Sequence, residues 1–170
     1  YIAMEYIEGQ TMKEYLENNT DIPEAKLIDM LLQICDGLAH AHDRNVIHRD
    51  IKPDNISIKE DGSIKITDFG IARMSTANTI KMTQDGTMLG TLGYISPEQL
   101  QDSRSVDART DIFSFGAMMY ELYTRKLPFD GGNIGSTILK IVTENPPPPS
   151  KVNPTISPVL EKIILKALEK

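Results

Sequence analysis

Residues 48–70 read HRDIKPDNISIKEDGSIKITDFG, and this stretch decides the architecture. Two short runs of β-favouring residues, NISIK from Asn55 and IKITDF from Ile64, flank Glu60-Asp61-Gly62-Ser63, which supplies the turn between them. A hairpin folds its two ends back together. Asp50 and Asn55 on its near side and Asp68 on its far side are therefore expected to converge on one pocket.

Upstream, apolar residues at Leu27, Leu31, Ile34, Leu38 and Ala41 recur every three or four positions, which predicts an amphipathic helix from Pro23 to about Arg44. Before it come a β-leaning stretch, Tyr1 to Ile7, a turn at Glu8-Gly9 and a short helix from Thr11 to Asn18 with Thr11 as its N-cap. Val46-Ile47-His48 reads as a further short β piece.

Downstream, residues 71–97 are rich in Thr, Ser, Met, Asn and Gly and show no periodicity, so they read as a long loop of functional length. DIFSFGAMMYELYT, starting at Asp111, is apolar almost all the way round and is expected to be the central helix of the core, with Met118 and Met119 as packing. Pro146 to Pro149 read as an extended connector. A last helix is predicted from Ser157 towards Lys170, with Val159, Leu160, Ile163, Ile164 and Leu168 inward.

With 170 residues the chain suits one domain, and no apolar run approaches the roughly 20 residues that cross a bilayer. A formal charge of -6, with no cluster of Lys and Arg, argues against a nucleic-acid partner. The one cysteine, Cys35, cannot form an internal disulfide, which fits a reducing cytoplasm; in its apolar context it reads as a small buried hydrophobe. His40 and His42 stand two apart on a helix and so face different ways, which makes packed or surface histidines the better reading than a metal pair.

HRDIKPDN, DFGIAR, GTLGYISPEQ and DARTDIFSFG occur together and in that order, and as a set they are far more specific than any single triplet. On these motifs the chain resembles a Hanks-type protein kinase, most closely the bacterial eukaryotic-like Ser/Thr kinases. The resemblance implies an α+β fold, the mainly helical C-terminal lobe of the kinase fold with a small hairpin by the catalytic loop. The N-terminal lobe, with its glycine-rich loop and strand lysine, is expected to be absent. It also implies a partial catalytic domain over 1–170, with hinge 4–9, catalytic loop 48–55, activation segment 68–98 and central helix 111–124.

The family's roles carry over by position. Asp50 would orient the substrate hydroxyl and accept its proton, and Lys52 would reach the transferring phosphate and resembles the Ser/Thr-specific class. Asn55 and Asp68 would supply oxygen ligands to Mg²⁺, the ion that accompanies ATP. Met4 falls at the gatekeeper position, and the backbones of Glu5 and Ile7 would bond the adenine edge. Met12, Ile56 and Ile58 would seat the ring, with Ser57 in the floor position where the family usually has Leu or Met.

His48 and Phe69 resemble the spine that aligns the lobes, and Asp111 resembles the helix-start carboxylate that anchors the catalytic loop. Arg49 is a buried-charge liability unless an anion meets it, and Arg73 could join it. A phosphate on the 75–87 segment, with Thr83 favoured and Thr87, Thr79 and Thr76 as alternatives, would be that anion. Thr91 resembles the residue that contacts Asp50 and Lys52. Glu98 is expected to lack a partner, because the family's pairing Arg lies just past Lys170.

The partners implied are ATP, proteins phosphorylated on Ser or Thr, and a second kinase domain for autophosphorylation. A membrane would be met only through segments outside these residues. The alternative from another class is a non-catalytic interaction module, a pseudokinase or a lone C-lobe. Intact Asp50, Lys52, Asn55 and Asp68 weigh against it.

Overall fold

The computed structural model describes residues 5–69, 92–101 and 106–170. The chain divides into two compact units, residues 1–48 with 53–69, and residues 49–52 with 70–170.

The first unit packs a small sheet against helices. Strands β1 (Gln10–Thr11), β2 (Ile56–Ile58) and β3 (Ile64–Ile66) form an antiparallel sheet in the order β1-β2-β3, with Thr11 opposite Ser57 and Ser57 opposite Lys65. The expected hairpin is there. Its turn is closed by Asp61, whose Oδ1 accepts from the backbone N–H and the hydroxyl of Ser63, and these bonds hold the Asp61 carboxyl below its ordinary range.

Among the described residues pairing begins at Gln10, not in 5–7, and Gly9 explains the place. Its φ of 148° belongs to glycine, and a Cβ there would lie 2.2 Å from the Ile58 carbonyl oxygen. Helix α1 (Met12–Asn18) starts directly after β1, with Thr11 and Glu14 forming a capping box. Helix α2 (Glu24–His42) buries Leu27, Leu31, Ile34, Leu38 and Ala41, the predicted face, and Gln33 on it accepts the Ile64 N–H at 2.9 Å, fixing the hairpin to the helix.

Two expectations for this unit change. Cys35 is exposed, on the same side of α2 as the exposed Ile28 and Leu32, and partial burial together with the Asp36 charge raises its thiol pKa. Val46-Ile47-His48 forms no strand: the Val46 N–H closes the end of α2 on the Ala41 carbonyl, so it is not available to a ladder.

The second unit is built on helix α4 (Arg109–Thr124), twelve of whose sixteen residues are buried, as a helix without a polar face requires. Around it stand α3 (Pro97–Gln101), α5 (Ile134–Thr143), α6 (Pro149–Val152) and α7 (Pro158–Ala167). Helix α5 went unanticipated, although Asn133 caps it by accepting from Ser136. Pro149 is the first residue of α6 rather than part of the extended run, a position where proline's missing N–H costs nothing.

Helix α7 turns Ile164 and Leu168 inward as expected, but Val159 and Ile163 are 70% and 52% exposed. One helix face cannot bury all five apolar positions. The α4–α7 contact is set instead by Gly116, where a Cβ would meet the Ala167 Cβ at 2.8 Å and Leu168 Cγ at 3.2 Å. Gly116→Val is expected to force these helices apart and destabilise the chain by about 1–3 kcal/mol, read as a lowered urea midpoint.

Candidate active site

Asp50 and Lys52 lie on the short segment 49–52, which belongs to the second unit. Lys52 Nζ stands 3.2 Å from Asp50 Oδ2, and the two side chains are only 12% and 18% exposed. A carboxylate and an ammonium that close, with little water about them, hold each other's side chains in place.

The backbone before Asp50 is unusual. Arg49 has φ 68°, in the left-handed region that costs a non-glycine residue of order 1–3 kcal/mol, so the surroundings must hold it there. Its N–H donates to Oδ1 of Asp111 at 2.7 Å, and its carbonyl accepts from Nε2 of Gln99 at 2.8 Å. Asp111 is fully buried in the first turn of α4, where the helix N-terminus favours an anion. The anchoring role expected for Asp111 thus has its hydrogen bond.

Arg49 itself is only partly buried, so its charge is less costly than the sequence suggested. Glu98 is not alone either. Its Oε1 accepts from the Thr110 hydroxyl at 2.8 Å, and it borders a cleft of about 220 Å³ shared with Arg109 and Lys170. Ser96, also fully buried, shares a 2.7 Å hydrogen bond with Thr110, and the Tyr94 hydroxyl bonds Glu121. Ser114 donates to the Tyr94 carbonyl at 2.7 Å, so the segment after residue 91 is fastened to α4 at several points.

The first unit holds Asn55 and Asp68. Asn55 is 6% exposed and ends a 3₁₀ turn, Pro53–Asn55; its carbonyl accepts from the Thr67 N–H at 2.9 Å and the Thr67 hydroxyl at 3.2 Å. These bonds bring the residue before Asp68 directly against Asn55. Asp68 is exposed and has φ 56°, which turns the chain out of the strand at that point.

His48, fully buried, donates from Nε2 to the Thr67 carbonyl at 2.7 Å, and its ring lies 4.7 Å from that of Phe69. Met12 and Ile56 are fully buried and Ile58 is 6% exposed, while Ser57 sits in mid-strand between them.

The Glu5 carboxylate receives Lys65 Nζ at 2.5 and 2.6 Å, a contact that pulls its pKa below the ordinary value. Ile7 is half-buried. Met4, Arg73, Thr76, Thr79, Thr83, Thr87 and Thr91 lie outside the described residues.

Sequence reasoning missed Gln99, Thr110 and Ser96. Each is a short-range neutral side chain with no spacing rule linking it to position 49, and only the position of Gln99 next to the SPE motif could have drawn attention to it.

The protein kinase domain family matches the chain over residues 1–170. A Clostridium acetobutylicum protein named "Probable serine/threonine-protein kinase" is 44% identical to it over 170 residues, and the serine/threonine-protein kinase PrkC of Bacillus subtilis is 41% identical over the same length. The serine/threonine-protein kinase PknB of Mycolicibacterium smegmatis is 37% identical. Each comparison takes in 100% of this chain and 25%, 26% and 27% of the three relatives, so the chain spans about a quarter of their length. With the kinase motifs in order and a kinase family match along its whole length, the chain belongs to the protein kinase domain family, as part of a mainly helical α+β fold.

Proposed function

We propose that the protein carrying this chain transfers the γ-phosphoryl group of ATP to serine and threonine hydroxyls of other proteins. The observation that carries the reading is the shielded Asp50–Lys52 pair, 3.2 Å apart, on a backbone segment held in a strained conformation by Asp111. Strain that is kept rather than relaxed is a mark of functional segments.

In this reading the substrate hydroxyl donates its hydrogen bond to the Asp50 carboxylate, which aligns the oxygen and takes the proton as the new O–P bond forms. The bond from the γ-phosphorus to the bridging oxygen breaks, and ADP leaves with that electron pair. Lys52 offsets the charge on the transferring oxygens and holds the Asp50 carboxylate in place.

Asn55 and Asp68 offer an amide and a carboxylate oxygen, the hard donors that suit Mg²⁺, and the Thr67–Asn55 bonds keep the two positions adjacent in the chain's fold. Such an ion, when bound, neutralises charge on the β- and γ-phosphates. The backbones of Glu5 and Ile7 bind the adenine edge over Met12, Ile56 and Ile58, with Met4 and Ser57 at its margins. Phosphorylation within residues 75–87, first at Thr83, gives Arg49 and Arg73 their anion, through encounter of two copies in the cytoplasm.

The test is mass spectrometry of the full-length protein after incubation with ATP and Mg²⁺. Phosphate on serine or threonine of an added acceptor protein, and on at least one residue of 75–87, is expected. The 170-residue chain alone, which contains no glycine-rich phosphate loop, should transfer only at background. Absence of ATP-dependent transfer by the full-length protein would overturn the reading.

A further inference from the structure

The Arg49 carbonyl belongs to the peptide group that joins Arg49 to Asp50, so whatever holds that oxygen sets the plane from which the Asp50 side chain departs. Gln99 holds it, through Nε2 at 2.8 Å. Asp111 grips the peptide group on the other side of Arg49 at 2.7 Å, and between these two contacts the residue stays at φ 68°. Each clamp holds one of the two peptide groups that flank Arg49.

The Gln99 amide cannot simply turn over. Its Oε1 accepts from the Ser96 N–H at 3.1 Å, which directs Nε2 towards Arg49, while the Ser96 hydroxyl donates to Thr110. Ser96 is in turn bonded to Thr110, fully buried and next to Asp111 in α4. The circuit from α4 through Ser96, Gln99 and Arg49 back to Asp111 is closed, and all of it lies within one compact unit.

Helix α3 has other fastenings. Glu98 accepts from the Thr110 hydroxyl and Ser96 bonds Thr110, so the side-chain amide of Gln99 is not the only hold on the helix. Its distinctive contact is the one with the catalytic segment.

We propose that Gln99 is a positioning residue for Asp50, holding the Arg49–Asp50 peptide in the orientation that aims the carboxylate at the substrate hydroxyl. The inference rests on the reading of Asp50 as the proton acceptor. It makes catalysis depend on the placement of the segment at 96–99, so displacement of that segment turns Asp50 away without touching it.

The experiment compares Gln99→Met, Gln99→Glu and Asp50→Asn in the full-length protein, with kcat, KM for ATP, thermal midpoint and the pH profile of kcat as readouts. Gln99→Met keeps the side chain's length but loses the donor. It should lower kcat by about 10- to 100-fold, the scale of a small misplacement of a catalytic group, with KM for ATP and the midpoint little changed. Gln99→Glu sets a carboxylate against the Arg49 carbonyl and should be worse at neutral pH. Relative to the wild type at the same pH it should recover as pH falls and the protonated acid regains an O–H donor, a limb that Gln99→Met lacks.

If Gln99→Met keeps wild-type kcat while Asp50→Asn is inactive, the Gln99 inference is overturned and Asp50 stands. If Asp50→Asn retains wild-type kcat, the reading beneath it falls. A kcat loss that merely follows the folded fraction, with Gln99→Glu showing no recovery at low pH, assigns Gln99 to the stability of α3 and overturns the proposal as well.

Discussion

Asp50→Asn is expected to lower kcat for phosphoryl transfer by about 10²–10⁴-fold, the usual contribution of a positioned proton acceptor. Asn has nearly the volume of Asp, so the fold is preserved and the change is confined to charge and proton affinity. An amide oxygen still accepts a hydrogen bond from the substrate hydroxyl, but it does not take the proton, so binding survives better than turnover. KM for ATP should therefore stay near the wild-type value while kcat collapses.

There is also a structural consequence. Lys52, 12% exposed, loses the anion 3.2 Å away, and the cost of a partly buried charge without its partner is about 1–3 kcal/mol. A steady-state assay with a serine or threonine acceptor, run beside a urea titration, separates the two effects. Turnover within tenfold of the wild type would remove Asp50 from the chemistry.

Asp111→Ala should produce the largest loss of stability among polar substitutions in the second unit, about 2–4 kcal/mol. The carboxylate has no exposed surface and accepts the Arg49 N–H at 2.7 Å, so its removal leaves a shielded donor without its acceptor. It also strips an anion from the first turn of α4, where the helix dipole favours one, and leaves a void.

Activity should fall with it for a separate reason. Once the Arg49 N–H is released, one of the two hydrogen bonds that hold its φ of 68° among the described residues is gone, and the residue relaxes towards ordinary backbone angles. Asp111→Asn, which retains an acceptor oxygen, should lose less stability than the alanine variant. A urea midpoint for Asp111→Ala indistinguishable from that of the wild type would show that the buried carboxylate is not an anchor.

Much of the fold was legible because it depends on local rules. The face of α2 could be read from residues 27–41, since a period of 3.6 leaves a pattern that tertiary structure only has to accept. The hairpin was announced by Glu60-Asp61-Gly62-Ser63, and the burial of α4 by the absence of a polar face. What failed were inferences that every apolar residue in an amphipathic stretch turns inward. Val159, Ile163 and Cys35 are exposed because a helix offers its neighbours one stripe, and the stripe that won is the one carrying Ile164 or Ile34.

By itself the sequence determined the family, the hairpin and the buried faces of α2 and α4, because motifs such as HRDIKPDN and DFG are contiguous and a helix or turn pattern is local. The tertiary structure alone decided that Arg49 is left-handed, that Asp111 and Gln99 clamp the peptides on either side of it, and that Thr110 answers Glu98. Those contacts join residues as much as 62 positions apart. No local propensity encodes such a pairing, since its hydrogen bonds exist only once packing has removed the water that would otherwise make them.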